Sequence, residues 1–245
     1  MDYFNMTKRK IGFSTGSIAL DDVVRGLDIA AQAQVKAIEL SALREKELDP
    51  LLDSLPQLEN RLKAFDYISF HAPSYIIEMS EAELVLKLQQ VAERGWAIVI
   101  HPDLINNFSL WKQLGRAVCI ENMDKRKIIG RTATQLLNFF EELPEATFCF
   151  DIGHARQVDP TMQEAESFLQ LFQDRLQQIH MSYVNSQSRH ERLNFESIMA
   201  YQRMASWIDE SIPIILETPV KKSNIDAEIL SAERVFNECS LLLQY

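Results

Sequence analysis

Short apolar runs alternate with longer amphipathic segments along the whole chain. Eight of these runs have the length and the content of β-branched and aromatic residues that are typical of buried strands. They cover residues 11–14, 37–40, 67–71, 97–101, 117–121, 147–151, 177–181 and 212–217. Strands that are apolar on both faces and separated by helices form parallel sheets. Eight such units in 245 residues therefore predict an α/β protein, a closed (β/α)8 TIM barrel.

The segments between the strands have the periodicity of amphipathic helices, and we interpret them as eight helices that alternate with the strands. Ser80 with Glu83, and Thr161 with Glu164, have the spacing of a capping box at a helix start. Helices are predicted over 20–34, 48–64, 80–95, 131–143, 195–209 and 227–243, and from residue 161 onward; the eighth would lie between the fourth and fifth strands. Because no linker or charge block divides the chain, one domain is predicted over residues 1–245.

The composition is that of an ordinary globular protein, with 47% hydrophobic and 24% charged residues. A formal charge of −10 argues against general attraction to nucleic acid or to an acidic membrane. The three cysteines have no paired spacing, which favours a reducing compartment. No apolar run reaches the roughly 18 residues of a membrane span, and the N-terminal segment does not resemble a signal peptide. We therefore expect a cytoplasmic protein with no membrane association; the sequence leaves homo-oligomerisation open.

The ends of six successive predicted strands carry residues that are able to hold a divalent cation. The runs are ISFH, IVIH, VCIE, FCFDIGH, QIHM and IILE. In a TIM barrel these ends converge at the mouth where active sites lie. Several carboxylates brought together there would repel one another, and no lysine or arginine occupies a strand end. A divalent metal is the simplest compensation, and mixed imidazole and carboxylate ligands suit Zn, Mn, Fe or Co. Any one such histidine, taken alone, is also compatible with a buried residue that bonds to the backbone.

These strand ends also resemble a known superfamily. The stretches FHAPS, IHPD, IENMD, DIGHA, IHMS and LET are similar to the strand-end motifs of xylose-isomerase-like barrels, which include sugar and sugar-phosphate isomerases and epimerases and also endonuclease IV. The resemblance implies that one complete set of metal ligands is present: Glu121, Asp151, His180 and Glu217. In epimerase-type members the two glutamates exchange a proton with the substrate carbon, which would make Glu121 and Glu217 the catalytic pair.

The remaining histidines resemble the endonuclease IV arrangement. There, His71 and His101 would bind an additional metal bridged by Glu121, and a two-metal site of that kind favours phosphoester hydrolysis. His154 and His190 match ligands of a third metal in that enzyme. The position of its aspartate is Ser188 here, so the third site is incomplete.

The expected function is a divalent-metal-dependent isomerase or epimerase of a small sugar or sugar phosphate, with one or two metals per chain. A dinuclear phosphoester hydrolase and a barrel that binds metal or ligand without turnover are the alternatives. Short loops and the lack of a basic cluster with interleaved aromatic residues argue against a duplex nucleic acid as substrate.

Four polar residues are further candidates for substrate contacts. Asn185 and Arg189 follow the seventh strand, and Arg156 follows His154; each is equally compatible with a solvated loop. Glu39, at the end of the second strand, could reach the site or pair with Arg44.

Overall fold

Eight parallel strands close into a barrel in the computed structural model, which describes residues 9–237. In chain order the strands are Ile11–Ser14 (β1), Ala37–Ser41 (β2), Tyr67–His71 (β3), Ala97–Ile100 (β4), Val118–Glu121 (β5), Thr147–Asp151 (β6), Leu176–Met181 (β7), Tyr183–Val184 (β8), His190–Glu191 (β9) and Ile214–Leu216 (β10). The barrel order is β1-β10-β7-β6-β5-β4-β3-β2, while β8 and β9 form a separate antiparallel hairpin. The predicted (β/α)8 barrel is thereby confirmed, with all eight strands where the apolar runs placed them.

The helices surround this barrel. They are Thr15–Ile18 (α1), Val23–Gln32 (α2), Glu45–Leu62 (α3), Glu81–Ala92 (α4), Phe108–Trp111 (α5), Ala133–Glu142 (α6), Ile152–Val158 (α7), Gln163–Phe172 (α8), Phe195–Gln202 (α9) and Ile225–Asn237 (α10). The predicted start at Ser80 is confirmed, because its hydroxyl accepts the backbone N–H of Glu83 at 3.2 Å. The end of the last predicted helix, from residue 238 on, lies outside the described residues.

Several predicted helix bounds are wrong for local reasons. The helix predicted over 20–34 is shorter in the structure, because Asp22 accepts the backbone N–H of Arg25 and caps α2, which runs only from Val23 to Gln32. The predicted capping box of Thr161 and Glu164 does not form. The carboxylate of Asp159 instead accepts the backbone N–H groups of both residues, at 2.9 Å each, since a charged oxygen is the stronger acceptor.

The apolar side chains form two separate cores. The larger core lies between the sheet and the helices, and five aromatic rings pack together in it: Phe140, Phe148, Phe150, Phe168 and Phe172. The smaller core lies inside the barrel and consists of Ala97, Val99, Cys119 and Cys149. Side chains alternate along a strand, so the residues two positions after Val99, Cys119 and Cys149 point to the same inner face. These residues lie at the mouth of the barrel.

Gly153 allows α7 to lie directly against the strand end of β7. A Cβ atom at this position would lie 2.6 Å from the carbonyl oxygen of Ser182 and 2.8 Å from a methyl group of Val184. Only glycine permits this approach, which brings the first turn of α7 to the barrel mouth. Within residues 9–237, none of the helices has both the length and the apolar content needed to cross a membrane.

Replacement of Phe148 by alanine should lower the free energy of unfolding by about 3–5 kcal/mol, because the ring is fully buried among four other rings. Leu171→Ala on α8 is the matched control: this side chain is 52% exposed, and the change should cost only about 0.5 kcal/mol. Urea denaturation measures both, and equal losses would contradict this assignment of the core.

Candidate metal centre

The strand ends bring two groups of ligand atoms together at the barrel mouth. In the first group, one atom from each of Glu121, Asp151, His180 and Glu217 lies within 4.8 Å of all the others. The second group consists of His71, His101 and Glu121 at the same spacing, and a further set, His71, His180 and Glu217, combines members of these two groups. The side chains are almost entirely buried, and the carboxylate of Glu217 is the most exposed of the four at 13%.

Strand register explains why these residues meet. Asp151 pairs directly with His180 across β6 and β7, and Glu121 pairs with Cys149, two residues before Asp151. Glu121 stands two residues above Cys119 and therefore points to the same inner face of the barrel. Asp151 ends its strand and also begins α7, where one of its oxygens accepts the N–H of His154 at 2.6 Å.

Glu121 is shared between the two groups. Its Oε1 lies 3.1 Å from Nδ1 of His180, and its Oε2 lies 3.4 Å from Nε2 of His71 and 3.2 Å from Nε2 of His101. Among the described residues, Oε2 nevertheless has no hydrogen bond of acceptable geometry, although it is buried. Two imidazole nitrogens and a carboxylate oxygen that approach one another without such bonds have the arrangement expected around a common cation.

Backbone contacts set which nitrogen of each histidine is free to bind. Nδ1 of His71 lies 2.7 Å from the carbonyl oxygen of Ala72, so it must carry a hydrogen, and Nε2 faces Glu121. A second carbonyl, that of Asn122, holds Nδ1 of His154 in the same way at 2.9 Å. Such contacts orient metal-binding imidazoles in many proteins.

Glu39 orients the ring of His180 in the same way, from inside the barrel. Its Oε2 lies 2.9 Å from Nε2 of His180, and it accepts further hydrogen bonds from Gln178 at 2.7 Å and Ser69 at 3.1 Å. A hydrogen on Nε2 makes Nδ1, the atom that faces Glu121 and Glu217, the nitrogen that would bind a metal. Of the two partners left open for Glu39 by the sequence, the structure selects the site, since Arg44 pairs with Glu47 and Asp21.

The electrostatics favour a cation at this position. Burial raises the pKa of Asp151, and raises that of Glu217 well above its usual range, with repulsion from Glu121 adding to both shifts. Burial also opposes the charged forms of Glu121 and His180. Attraction to His180 and contacts with His101 and His71 outweigh it for Glu121, and attraction to Glu217, Glu39 and Glu121 outweighs it for His180. The pKa of Glu121 therefore lies well below its ordinary value and that of His180 well above. The contact with Glu121 also raises the pKa of His71 against the effect of burial. Two imidazoles among four carboxylates leave negative charge unbalanced, and a divalent ion would favour the ionised forms.

Three carboxylate oxygens provide a direct test of fit for a metal. Glu121 Oε2, Asp151 Oδ2 and Glu217 Oε2 are buried, and none has a hydrogen bond within residues 9–237. An unsatisfied buried carboxylate oxygen is costly, and coordination to a metal would satisfy it. The donor set of oxygen and imidazole nitrogen therefore fits a divalent transition metal.

His154 and His190 lie together beside this centre, with ring centroids 5.5 Å apart. Nδ1 of His190 bonds to the hydroxyl of Ser182 at 2.8 Å, and burial lowers the pKa of His190 to about 3, so its ring is neutral. Ser188 does not complete a third group: its hydroxyl accepts a hydrogen bond from Gln157 at 2.6 Å. Of the eight predicted ligands, the two described groups thus contain six.

The loop residues predicted to contact substrate are engaged locally. Asn185 accepts the N–H groups of Gln187 and Arg189 and shapes the turn of the β8–β9 hairpin, where Arg189 is exposed. Arg156 lies over the ring of Tyr183 at 5.5 Å and within 3.7 Å of Glu196. Their role in substrate binding stays a prediction.

The sequence interpretation missed two residues that position ligands. Asn122 bonds to both the N–H and the carbonyl of Asp151, at 2.7 and 2.8 Å, and so joins β5 to β6 at the site. Gln178 lies below His180 and links Glu39 to the hydroxyl of Tyr67. The signal for Gln178 was present: it is a polar residue two positions before a ligand on a buried strand, and so on the same face.

No protein-family model matches the chain, and no curated protein is similar enough in sequence to be recognised as a relative. The fold, however, is similar to solved structures. A xylose isomerase domain protein from Alicyclobacillus acidocaldarius superposes with a TM-score of 0.63 at 12% identity, covering 92% of this chain and 98% of that one. An uncharacterised protein from Parabacteroides distasonis has a TM-score of 0.56 at 16% identity, with coverages of 94% and 99%.

A third similar structure is a type I 3-dehydroquinate dehydratase from Clostridium difficile, with a TM-score of 0.53, 10% identity and coverages of 92% and 94%. These three structures confirm the predicted TIM-barrel fold. At such low identities these likenesses establish the TIM-barrel fold alone.

Replacing Glu39 with alanine should weaken metal binding by roughly 10- to 100-fold, because His180 loses the acceptor that orients its ring. Ser69→Ala removes a donor to the same carboxylate without touching His180, and serves as the control with a smaller effect. Competition with a chromogenic chelator measures the affinity. An unchanged affinity in Glu39→Ala would show that the imidazole is held by other contacts.

Proposed function

We propose that this chain is a divalent-metal-dependent enzyme that holds two metal ions side by side and hydrolyses a phosphoester of a small substrate. The observation that supports it most directly is the position of Glu121, whose two oxygens face two different sets of histidines. The first metal would be held by Glu121, Asp151, His180 and Glu217, and the second by His71, His101 and Glu121. Two adjacent divalent ions supply Lewis-acid stabilisation of the charge on phosphoester oxygens.

The residues of the chain would divide the remaining tasks. Both oxygens of Glu121 are directed at histidine nitrogens, so this residue would serve as a ligand to both metals and would not be free to accept a proton from substrate. Glu217 is the quartet carboxylate nearest to solvent and therefore lies closest to an entering substrate. Glu39, from below, keeps Nδ1 of His180 directed at the site.

The position of Lys127 supports the proposal that the substrate is phosphorylated. Its ammonium donates to the carboxylate of Asp103 at 2.6 Å and to the carbonyl of Ser74 at 3.1 Å. Asp103 lies in the loop after His101, Ser74 in the loop after His71, and Lys127 in the loop after Glu121. The ammonium of Lys127 therefore joins the three loops that follow the second group of ligands. A lysine there would attract a phosphate oxygen to the metal pair.

A small substrate is in keeping with the surroundings of the site. The ligand side chains are buried at the barrel mouth, and the chain carries a formal charge of −10. A long polyanion would be repelled by such a surface. The proposed reaction adds water across one P–O bond and releases an alcohol and a phosphate.

Isomerisation or epimerisation of a sugar or sugar phosphate is the second candidate. The complete quartet supports it, since four ligands suffice for one metal, and Glu121 and Glu217 would then exchange the proton. The fold similarity to a xylose isomerase domain protein is compatible with both chemistries. The number of metals separates the two candidates, because only hydrolysis needs the second group.

Elemental analysis of protein purified without chelator should find two equivalents of metal per chain. The double variant His71→Ala/His101→Ala should retain one, because the quartet stays intact. His190→Ala, which removes a histidine outside both groups, is the matched control and should retain two. One equivalent in the wild type, unchanged in the double variant, would favour the isomerase candidate instead.

Turnover should be visible with chromogenic phosphate monoesters and diesters in the presence of Mn, Zn or Co. Glu121→Gln should lower the rate by more than about 100-fold, beyond the loss typical of residues that only orient a ligand. Glu59→Gln, at an exposed position of α3, should leave the rate within about twofold of wild type, as is usual for surface substitutions. A metal-loaded protein that interconverts ketoses and hydrolyses no ester would contradict the hydrolase proposal.

A further inference from the structure

Helix α10 carries one glutamate that is fully buried. Glu228 has no exposed surface, and its carboxylate is surrounded by three donors from two loops at the barrel mouth. Its Oε1 accepts the backbone N–H of Leu193 and the hydroxyl of Thr218, both at 2.9 Å. Its Oε2 accepts from Nε of Arg192 at 3.0 Å.

Both loops belong to the candidate metal centre. Thr218 directly follows Glu217, the last ligand of the quartet, and is itself fully buried. Arg192 and Leu193 follow β9, which begins with His190, whose Nδ1 lies 3.5 Å from Oε2 of Glu217. One carboxylate on an outer helix therefore ties together the two segments that carry Glu217 and His190.

Glu217 lies beyond the last residue of its strand, so the hydrogen bonds of the sheet do not hold it in place as they hold the residues within β10. Strand β10 ends at Leu216, and Glu217 keeps one backbone bond, from its N–H to the carbonyl of Met181 at 3.2 Å. Residues 217–221 have no regular secondary structure. The contact of Thr218 with Glu228 and the burial of Val220 in the core therefore hold this segment beyond the strand.

Stability alone is a poor explanation for this arrangement. A buried ion pair often contributes no more to folding than apolar side chains of the same volume. Arg192 is half-exposed, so its charge is partly screened by solvent. The carboxylate instead fixes positions: from α10 it accepts three hydrogen bonds that hold two loop segments in place.

We propose that Glu228 is a positioning residue for the metal centre, setting the place of Glu217 through Thr218 and of the His190 segment through Arg192 and Leu193. The inference rests on the proposed metal-binding function. Under this proposal, a residue of an outer helix controls the geometry and the metal affinity of the quartet. Of the four ligands, only Glu217 is close to Glu228 in sequence.

The test uses Co²⁺ as the probe with the full-length chain. Titrations followed by visible absorption report the ligand geometry, and competition with a chelator gives the affinity. Glu228→Gln and the milder Thr218→Val should each weaken Co²⁺ binding by roughly 10- to 100-fold and alter the absorption spectrum. Asp226→Asn removes an exposed carboxylate from the same helix and should change neither quantity.

Thermal unfolding of the same proteins separates positioning from stability. A purely structural role would lower the unfolding temperature of Glu228→Gln while leaving the spectrum and the affinity of the folded protein at wild-type values, and that result would overturn the inference. Thr218→Val keeps the buried carboxylate and its two other donors, so it tests the proposal even if Glu228→Gln folds poorly. A wild-type protein that binds no Co²⁺ would overturn both this inference and the proposed function on which it rests.

Discussion

The burial of four carboxylates at one end of the barrel is the constraint on which the rest of the structure depends. Glu39, Glu121 and Asp151 have almost no exposed surface, and Glu217 has little. Carboxylates at this proximity and depth repel one another and lose hydration, so each needs a hydrogen-bond donor or a cation. Oε2 of Glu39 has donors in Gln178, Ser69 and His180. Its Oε1, like one oxygen of each of the other three carboxylates, has no hydrogen bond among the described residues.

The barrel provides this arrangement through its register and its interior. The small residues Ala97, Val99, Cys119 and Cys149 fill a lower layer, and the alternation of side chains places ligands directly above it. Next to this apolar layer lies a polar one, in which Tyr67, Gln178 and Glu39 form a chain that ends at His180. The site is thus supported from inside the barrel, while contacts from α7 and α10 hold the segments that lie above the strands.

The sequence predicted the strands and the clustering of the candidate ligand residues at the barrel mouth well, because both have short-range patterns. An apolar run that ends in histidine or in a carboxylate needs only the topology of the barrel to place that residue at the mouth. The ligand-positioning residues were harder, because Asn122 and Glu228 act through partners on other elements that no local pattern reveals. Helix ends were the least predictable, as the capping of α8 by Asp159 shows: several carboxylates and hydroxyls compete there over a few residues. Asn185 and Arg189 were candidates only because they are polar residues in a loop. In the structure, the side chain of Asn185 accepts the backbone N–H of Arg189 within the hairpin turn.

The central claim is that Glu121 is shared by two adjacent cations. A crystal structure of protein grown with Mn²⁺ or Zn²⁺, with anomalous difference maps recorded above and below the metal absorption edge, tests it most directly. The account predicts two strong peaks, one among Glu121, Asp151, His180 and Glu217 and one among His71, His101 and Glu121. A single peak within the quartet, with His71 and His101 hydrogen-bonded only to protein, would contradict the shared site, and the absence of any peak at full metal concentration would contradict the metal centre itself.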